Sequence, residues 1–233
     1  MRRHRTGRQV SDIRHFRIGR RARSVGPVTV PARNAARVEL GLLGDLRLCR
    51  DGVPVTVPGT AARLLAYLAI HDAPLRRAQV AATLWLDATD AHAGASLRSA
   101  LWRLPEPGGP VVTVTATHVG IDPAVAIDLT DATLLARALV AGAPLDELPR
   151  GDAVRLLDAD VLPGWYDDDW VVFARERFRQ VRLHALEALA GLLAKDGRFG
   201  EAVDAALGAI RVEPLRESAH RALVATHLAE GNR

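Results

Sequence analysis

Cysteine, lysine and methionine each occur once in this 233-residue chain, and aromatic residues are few: four tryptophans, two tyrosines and four phenylalanines. A lone Cys49 excludes an internal disulfide and any cysteine-built zinc or iron–sulfur site, and points to a reducing compartment. No uncharged apolar run reaches the roughly 18–20 residues needed to cross a bilayer, and the N-terminus has no apolar core of a signal peptide, so a cytoplasmic protein is expected. The only lysine, Lys195, sits in AKDG, so there is no phosphate-binding GxxxxGK[ST] loop; GxSxG and HExxH are also missing. The expectation is a protein without enzymatic activity, cofactor or metal.

What is present is arginine, unevenly placed. The whole chain carries +4. Residues 1–38 hold eleven arginines against Asp12, a local +10 that leaves −6 for the other 195 residues. Such a run with little apolar periodicity cannot offset its ordering entropy, so residues 1–36 read as a disordered arm. The arm could grip phosphates; a solvated tail or a start codon placed too early are the alternatives. With 48% hydrophobic residues, the remainder can build two modest cores.

From Val38 to Gly59, VELGLLGDLRLCRDGVPVTVPG alternates apolar and polar residues between glycine- and proline-bearing turns, which predicts short strands. At Thr60 the period changes to 3.6, and a helix is expected to His71 with Ala61, Leu64, Leu65 and Leu68 on one face. A second helix is expected over Arg77–Leu86, burying Val80, Ala81, Leu84 and Trp85, and a third over Asp90–Leu104. Two helices joined by a short polar turn make a helix-turn-helix. VVTVTATHVGID alternates again as a hairpin with Ala116–His118 at its tip, and strands, three helices and a hairpin spell a winged helix.

Farther on, Asp131–Val140 and Asp152–Asp158 are expected to be helical, followed by long helices from Asp168 to Gly197, Gly200 to Val212 and Leu215 to Glu230. Gly197 and Gly231 lie 34 residues apart, and Ala185/Ala219, Ala188/Ala222, Leu189/Leu223 and Asp196/Glu230 match at the same offset. That is the tetratricopeptide period, in which small residues let helices pack closely. The last helix should then expose an apolar stripe unless a partner, a second copy or a missing continuation covers it. The fold class expected is α+β, a winged helix-turn-helix followed by an all-α tetratricopeptide-like domain. Its parts are the arm at 1–36, the winged helix at 37–128, connecting helices and a loop at 129–164 and the helical domain at 165–233.

The outward face of the third helix carries His92, Ala95, Arg98, Ser99, Trp102 and Arg103, opposite Ala93, Leu97, Ala100, Leu101 and Leu104. Arginine bonds bidentately to guanine and an indole can lie on thymine methyls, so Arg98, Ser99, Trp102 and Arg103 are candidate DNA readers. Solvated arginines and a tryptophan packed under the wing are the alternative. Arg76 and Arg77 open the second helix, where its positive dipole end favours a phosphate. Thr113, Thr115, Thr117 and His118 are candidates by position on or near the hairpin, with a solvated hairpin as the alternative. The three carboxylates of WYDDDW, Trp165 to Trp170, invite a metal or acid–base reading, but a single contiguous cluster without partner ligands is weak evidence for either. They read more simply as the capped start of the long helix, with Trp165, Tyr166, Trp170 and Phe173 packing the junction.

LLGDLRLCRDGVPVTVPG, ARLLAYLAIH, SLRSALWRL and LPGWYDDDWVVFARERFRQVRLHALEAL together resemble the antibiotic regulatory proteins of actinobacteria. These join an OmpR-like winged helix to a helical bacterial transcriptional activator domain. The resemblance spans about residues 38–233 and is strongest over 161–233. It implies a DNA-binding transcriptional activator that binds promoter repeats in double-stranded DNA and contacts RNA polymerase through its sigma factor, with no membrane partner. Thr60 and Ala61 stand where many relatives have basic residues, and Pro105 and Glu106 where they continue the recognition helix with arginines; relatives also usually run on well beyond Arg233. Proline disfavours helix in the residue before it, so the helix should stop near Leu104. A protein-interaction module with a degenerate winged helix and little specific DNA affinity is the other reading.

Overall fold

The computed structural model describes residues 37–71, 73–106, 109–145 and 153–231. The arm at 1–36 lies outside the described residues. Strands β1 (Val38–Gly41), β2 (Arg47–Arg50) and β3 (Val53–Val55) form an antiparallel meander. Asp51 and Gly52 make the β2–β3 turn with φ of 49° and 79°, a conformation that glycine and aspartate tolerate. The short β7 (Ala126–Ile127) joins parallel to β1, so the sheet order is β3-β2-β1-β7. Helix α1 (Gly59–His71) buries Leu64, Leu65 and Leu68, the face expected from the sequence. Helix α2 is Arg77–Leu84, two residues shorter than its apolar pattern suggested, and Leu86 is 80% exposed. Trp85 is half-buried.

Helix α3 (Asp90–Trp102) packs Ala93, Leu97 and Ala100 against Val80, Ala81 and Leu84 of α2 in a core that also holds Tyr67 and Val119. Arg103 is its C-cap, and the helix ends three residues before Pro105, in keeping with the bar to helical geometry ahead of a proline. β4 (Leu75–Arg76), β5 (Val112–Val114) and β6 (His118–Ile121) make the second sheet, in the order β4-β6-β5.

The helical part comprises α4 (Asp128–Val140), α5 (Ala153–Asp158), α6 (Asp169–Lys195), α7 (Phe199–Val212) and α8 (Glu217–Glu230). α4 begins three residues before its expected start, because the Asp128 carboxylate accepts the Leu42 and Leu43 amides at 2.7 and 3.1 Å and ties the helix to the end of β1. Burial holds its pKa above the ordinary range even though these amides oppose the rise. Gly197 and Gly231 both end helices at positive φ, 76° and 96°. Ala185 and Ala219 are fully buried, so the 34-residue offset is structural. On the outer side of α8, Val224 and Leu228 are 57% and 62% exposed.

α6 belongs to both cores. Val171 and Phe178 pack with the β1–β3 sheet and α1, while Ala185, Leu186, Leu189 and Leu193 pack with α4, α7 and α8. At about 1.5 Å per residue its 27 residues span about 40 Å. Arg175 donates to the carbonyls of Val161 and Leu162 at 3.0 and 2.6 Å, and Arg182 donates to that of Ala159. Two arginines seven residues apart therefore hold the segment leading into α6, including Leu162 with φ of 43°.

Candidate DNA interface

The outer face of α3 carries Arg98, Ser99, Trp102 and Arg103, all exposed, and Trp102 is 87% exposed. Trp102 is not packed under the wing; an indole this size in water is unusual for a side chain with no partner to cover it. At the other end of α3, Thr89 precedes the helix and its hydroxyl meets His92 Nδ1 at 3.1 Å.

The wing tip and the start of α2 are one cluster. The Arg77 amide donates to the Thr117 carbonyl at 2.8 Å, and its guanidinium donates to the Thr115 carbonyl at 3.3 Å. Thr115 closes the hairpin, its hydroxyl accepting the His118 amide at 2.9 Å. Thr117 and His118 meet through hydroxyl and ring Nδ1 at 2.9 Å. Arg76 pairs with His118 across β4 and β6. Thus Arg76, Arg77, Thr115, Thr117 and His118, up to 42 positions apart in the chain, come together, with Arg77 a brace for the wing and Arg76 exposed beside it. Thr113 is exposed on β5, its hydroxyl weakly placed at 3.5 Å from the Gly120 carbonyl. The structure brings no group of three histidine, cysteine or carboxylate side chains together as a metal site among the described residues. Nor is any described helix long and apolar enough to cross a membrane.

The junction behind the helix-turn-helix departs from expectation. Asp168 stands at the N-cap of α6, but its carboxylate does not cap the helix. It accepts Arg63 Nη2 at 2.6 Å and Trp170 Nε1 at 3.0 Å. The same Arg63 donates to the Leu84 carbonyl at the end of α2. Trp170 in turn lies edge-on to Tyr67 at 5.2 Å and to Trp165 at 6.3 Å. Trp165 and Trp170 pack this junction as expected, whereas Tyr166 and Phe173 are 76% and 75% exposed. The correction has a helical cause: Phe173 lies two residues, about 200° around α6, from the buried Val171, and so on the opposite side of the helix. Arg63 gave no sequence signal, since one arginine on an amphipathic helix looks like any solvated arginine.

Residues 127–233 match the family model of the bacterial transcriptional activator domain. Among solved structures the chain is similar to Mycobacterium tuberculosis EmbR in complex with a low-affinity phosphopeptide, at a TM-score of 0.59 and 20% identity, over 84% of this chain and 56% of that one. The chain thus spans little more than half the length of that relative. No curated protein matches it significantly. With β1–β3, the α2–α3 pair and the β5–β6 wing in place ahead of the matched segment, the chain is a winged-helix region followed by a bacterial transcriptional activator domain, a fold it shares with that structure.

Proposed function

We propose that the chain is a non-enzymatic transcriptional regulator that binds double-stranded DNA, with α3 in the major groove and the β5–β6 wing on the neighbouring backbone. The observation that carries this reading is the α3 surface, where Arg98, Ser99, Trp102 and Arg103 are all exposed on one side while the opposite side is buried in the winged-helix core. Arg98 and Arg103 are the base-reading candidates, Trp102 an apolar contact to thymine methyls or sugars, and Ser99 a hydrogen-bonding partner. Arg76, Arg77, Thr115, Thr117 and His118 contact phosphates on either side. The activator domain suits a contact with RNA polymerase, through its sigma factor, and the open face of α8 with Val224 and Leu228 suits a second copy or another protein partner. The compartment is the cytoplasm.

A gel-shift titration of the intact chain against fragments of its own genome, at low salt, tests the reading. Sequence-selective retardation that R98A/R103A abolishes supports it; no retardation of any fragment overturns it.

One observation favours a second reading, a protein-interaction module with little specific DNA affinity: residues 39–233 sum to −6, and α3 stops before Pro105 without a further basic turn. Removing residues 1–36 separates the two. A competent winged helix keeps its sequence preference without the arm, whereas a degenerate one loses all binding with it.

A further inference from the structure

A cavity of about 340 Å³ lies where α1, α4 and α6 meet. Its apolar lining includes Ala69, Leu129 and Phe178, all buried. Its polar lining is His71 at the end of α1, Arg137 on α4 and Arg177 on α6, together with the hydroxyls of Thr130 and Thr133. No aspartate or glutamate lines it among the described residues. That is unexpected in a body of charge −6, and it matters more than the sum, because exposed charges beyond about 8–10 Å are largely screened at physiological salt.

The cations are also uncommitted. Arginines elsewhere on α6 are engaged: Arg175 holds carbonyls, Arg179 holds Glu176 and Glu213, and Arg182 holds Asp160. Neither the Arg137 nor the Arg177 guanidinium has a hydrogen-bond or ion-pair partner among the described residues. His71 Nδ1 lies 2.7 Å from the Tyr67 carbonyl, which can only accept, so Nδ1 carries the proton and Nε2 is the free ring nitrogen. A second hollow of about 390 Å³ shares Arg137 and Val181 with the first and extends it past Gln180.

We propose that this cavity binds a small organic anion, one carboxylate or phosphate group on an apolar body, with Arg137 and Arg177 holding the charge and Leu129 and Phe178 contacting the body. Forked guanidiniums suit either oxyanion, and the half-apolar wall suits a molecule with a hydrocarbon part. Because α1 belongs to the winged-helix region and α4 and α6 to the matched activator domain, an occupant touches both and is placed to act as an effector.

Calorimetric titration of the full chain with phenyl phosphate and with benzoate tests this, with inorganic phosphate and benzyl alcohol as the charge-only and body-only probes. Saturable one-to-one binding of phenyl phosphate or benzoate is expected, stronger than that of either half-probe. R137Q/R177Q should weaken it about tenfold or more, while R198Q/R221Q, which removes the same charge from the N-cap of α7 and from α8, should leave it unchanged. Arg137 and Arg177 are exposed and make no folded-state bond among the described residues, so their replacement should leave the thermal melt in place. Absence of saturable binding by both aromatic anions overturns the proposal, as does binding that R137Q/R177Q leaves intact. Loss of DNA affinity in R137Q/R177Q without anion binding overturns it in favour of a DNA contact.

Discussion

Arg63 of α1 and Asp168 at the head of α6 form an ion pair at 2.6 Å, with Nε of the same guanidinium also donating to both carboxylate oxygens at 3.0 and 3.1 Å. The pair joins residues 105 positions apart, one in the winged-helix region and one in the activator domain. Since Arg63 also holds the Leu84 carbonyl, the end of α2 and the start of α6 share one anchor.

Asp168 is 11% exposed in its side chain and Arg63 36%, so D168A would strand a partly buried guanidinium. A loss of about 2–4 kcal/mol is expected, below the full cost of a deeply buried pair because Arg63 keeps some water. Urea unfolding of D168A, R63A and the double variant would measure it. A coupling energy under about 0.5 kcal/mol would mean the anchor is a surface pair only.

Acid should loosen the α6–α8 contact through Glu187. Burial pushes this carboxylate upward, but hydrogen bonds from Arg216 and Ser218 outweigh it and leave its pKa below the ordinary 4.5. A lowered folded pKa contributes stability that is fully present above 4.5 and lost as pH falls through the folded value. E187Q should therefore be less stable than the parent by about 1–3 kcal/mol at pH 7, and the gap should close in strongly acid solution. Thermal melts of both proteins across pH 2.5–7, about the span over which a carboxylate titrates, would show a constant gap if the contact were unimportant.

The wing depends on Gly120. A Cβ at this position on β6 would stand 3.0 Å from Pro74 Cα, a backbone atom that has no rotamer to escape into. G120A should destabilise the protein by about 1–3 kcal/mol through overpacking. It should also weaken DNA binding more than its stability loss explains, because β4 and β6 carry Arg76 and His118. Denaturation midpoints and gel shifts on the same preparation separate the two effects.

Arg76 and Arg77 should behave differently although they are neighbours. R76A removes one phosphate contact, so affinity should fall about equally for all sequences and the slope of log affinity against log salt should become shallower by about 1. R77A also releases the Thr115 carbonyl and should cost more than R76A at every salt concentration. Equal effects would show that the brace to the wing does not matter for binding.

The elements themselves were readable along the chain. Alternation over residues 38–59, the 3.6-residue period from Thr60 and the break at Pro105 placed the strands, α1 and the end of α3 to within a few residues, because each rests on local backbone preference and one apolar face. The 34-residue offset likewise foretold matching helix ends at Gly197 and Gly231. Where local pattern and tertiary contact competed, contact won. Leu86 continues an apolar pattern yet lies outside α2, and Tyr166 and Phe173, aromatic neighbours of the junction tryptophans in the chain, are covered by water.

Sequence alone thus determined which faces are apolar, and with them the order of strands and helices and the outward side of α3. It could not say which polar groups would meet across those faces. Arg63 with Asp168, Arg77 with Thr115, and the cavity that unites His71, Arg137 and Arg177 all join elements distant in the chain. Such pairings follow from packing whole helices against one another, and a periodicity of two or 3.6 residues carries no information about a partner dozens of residues away.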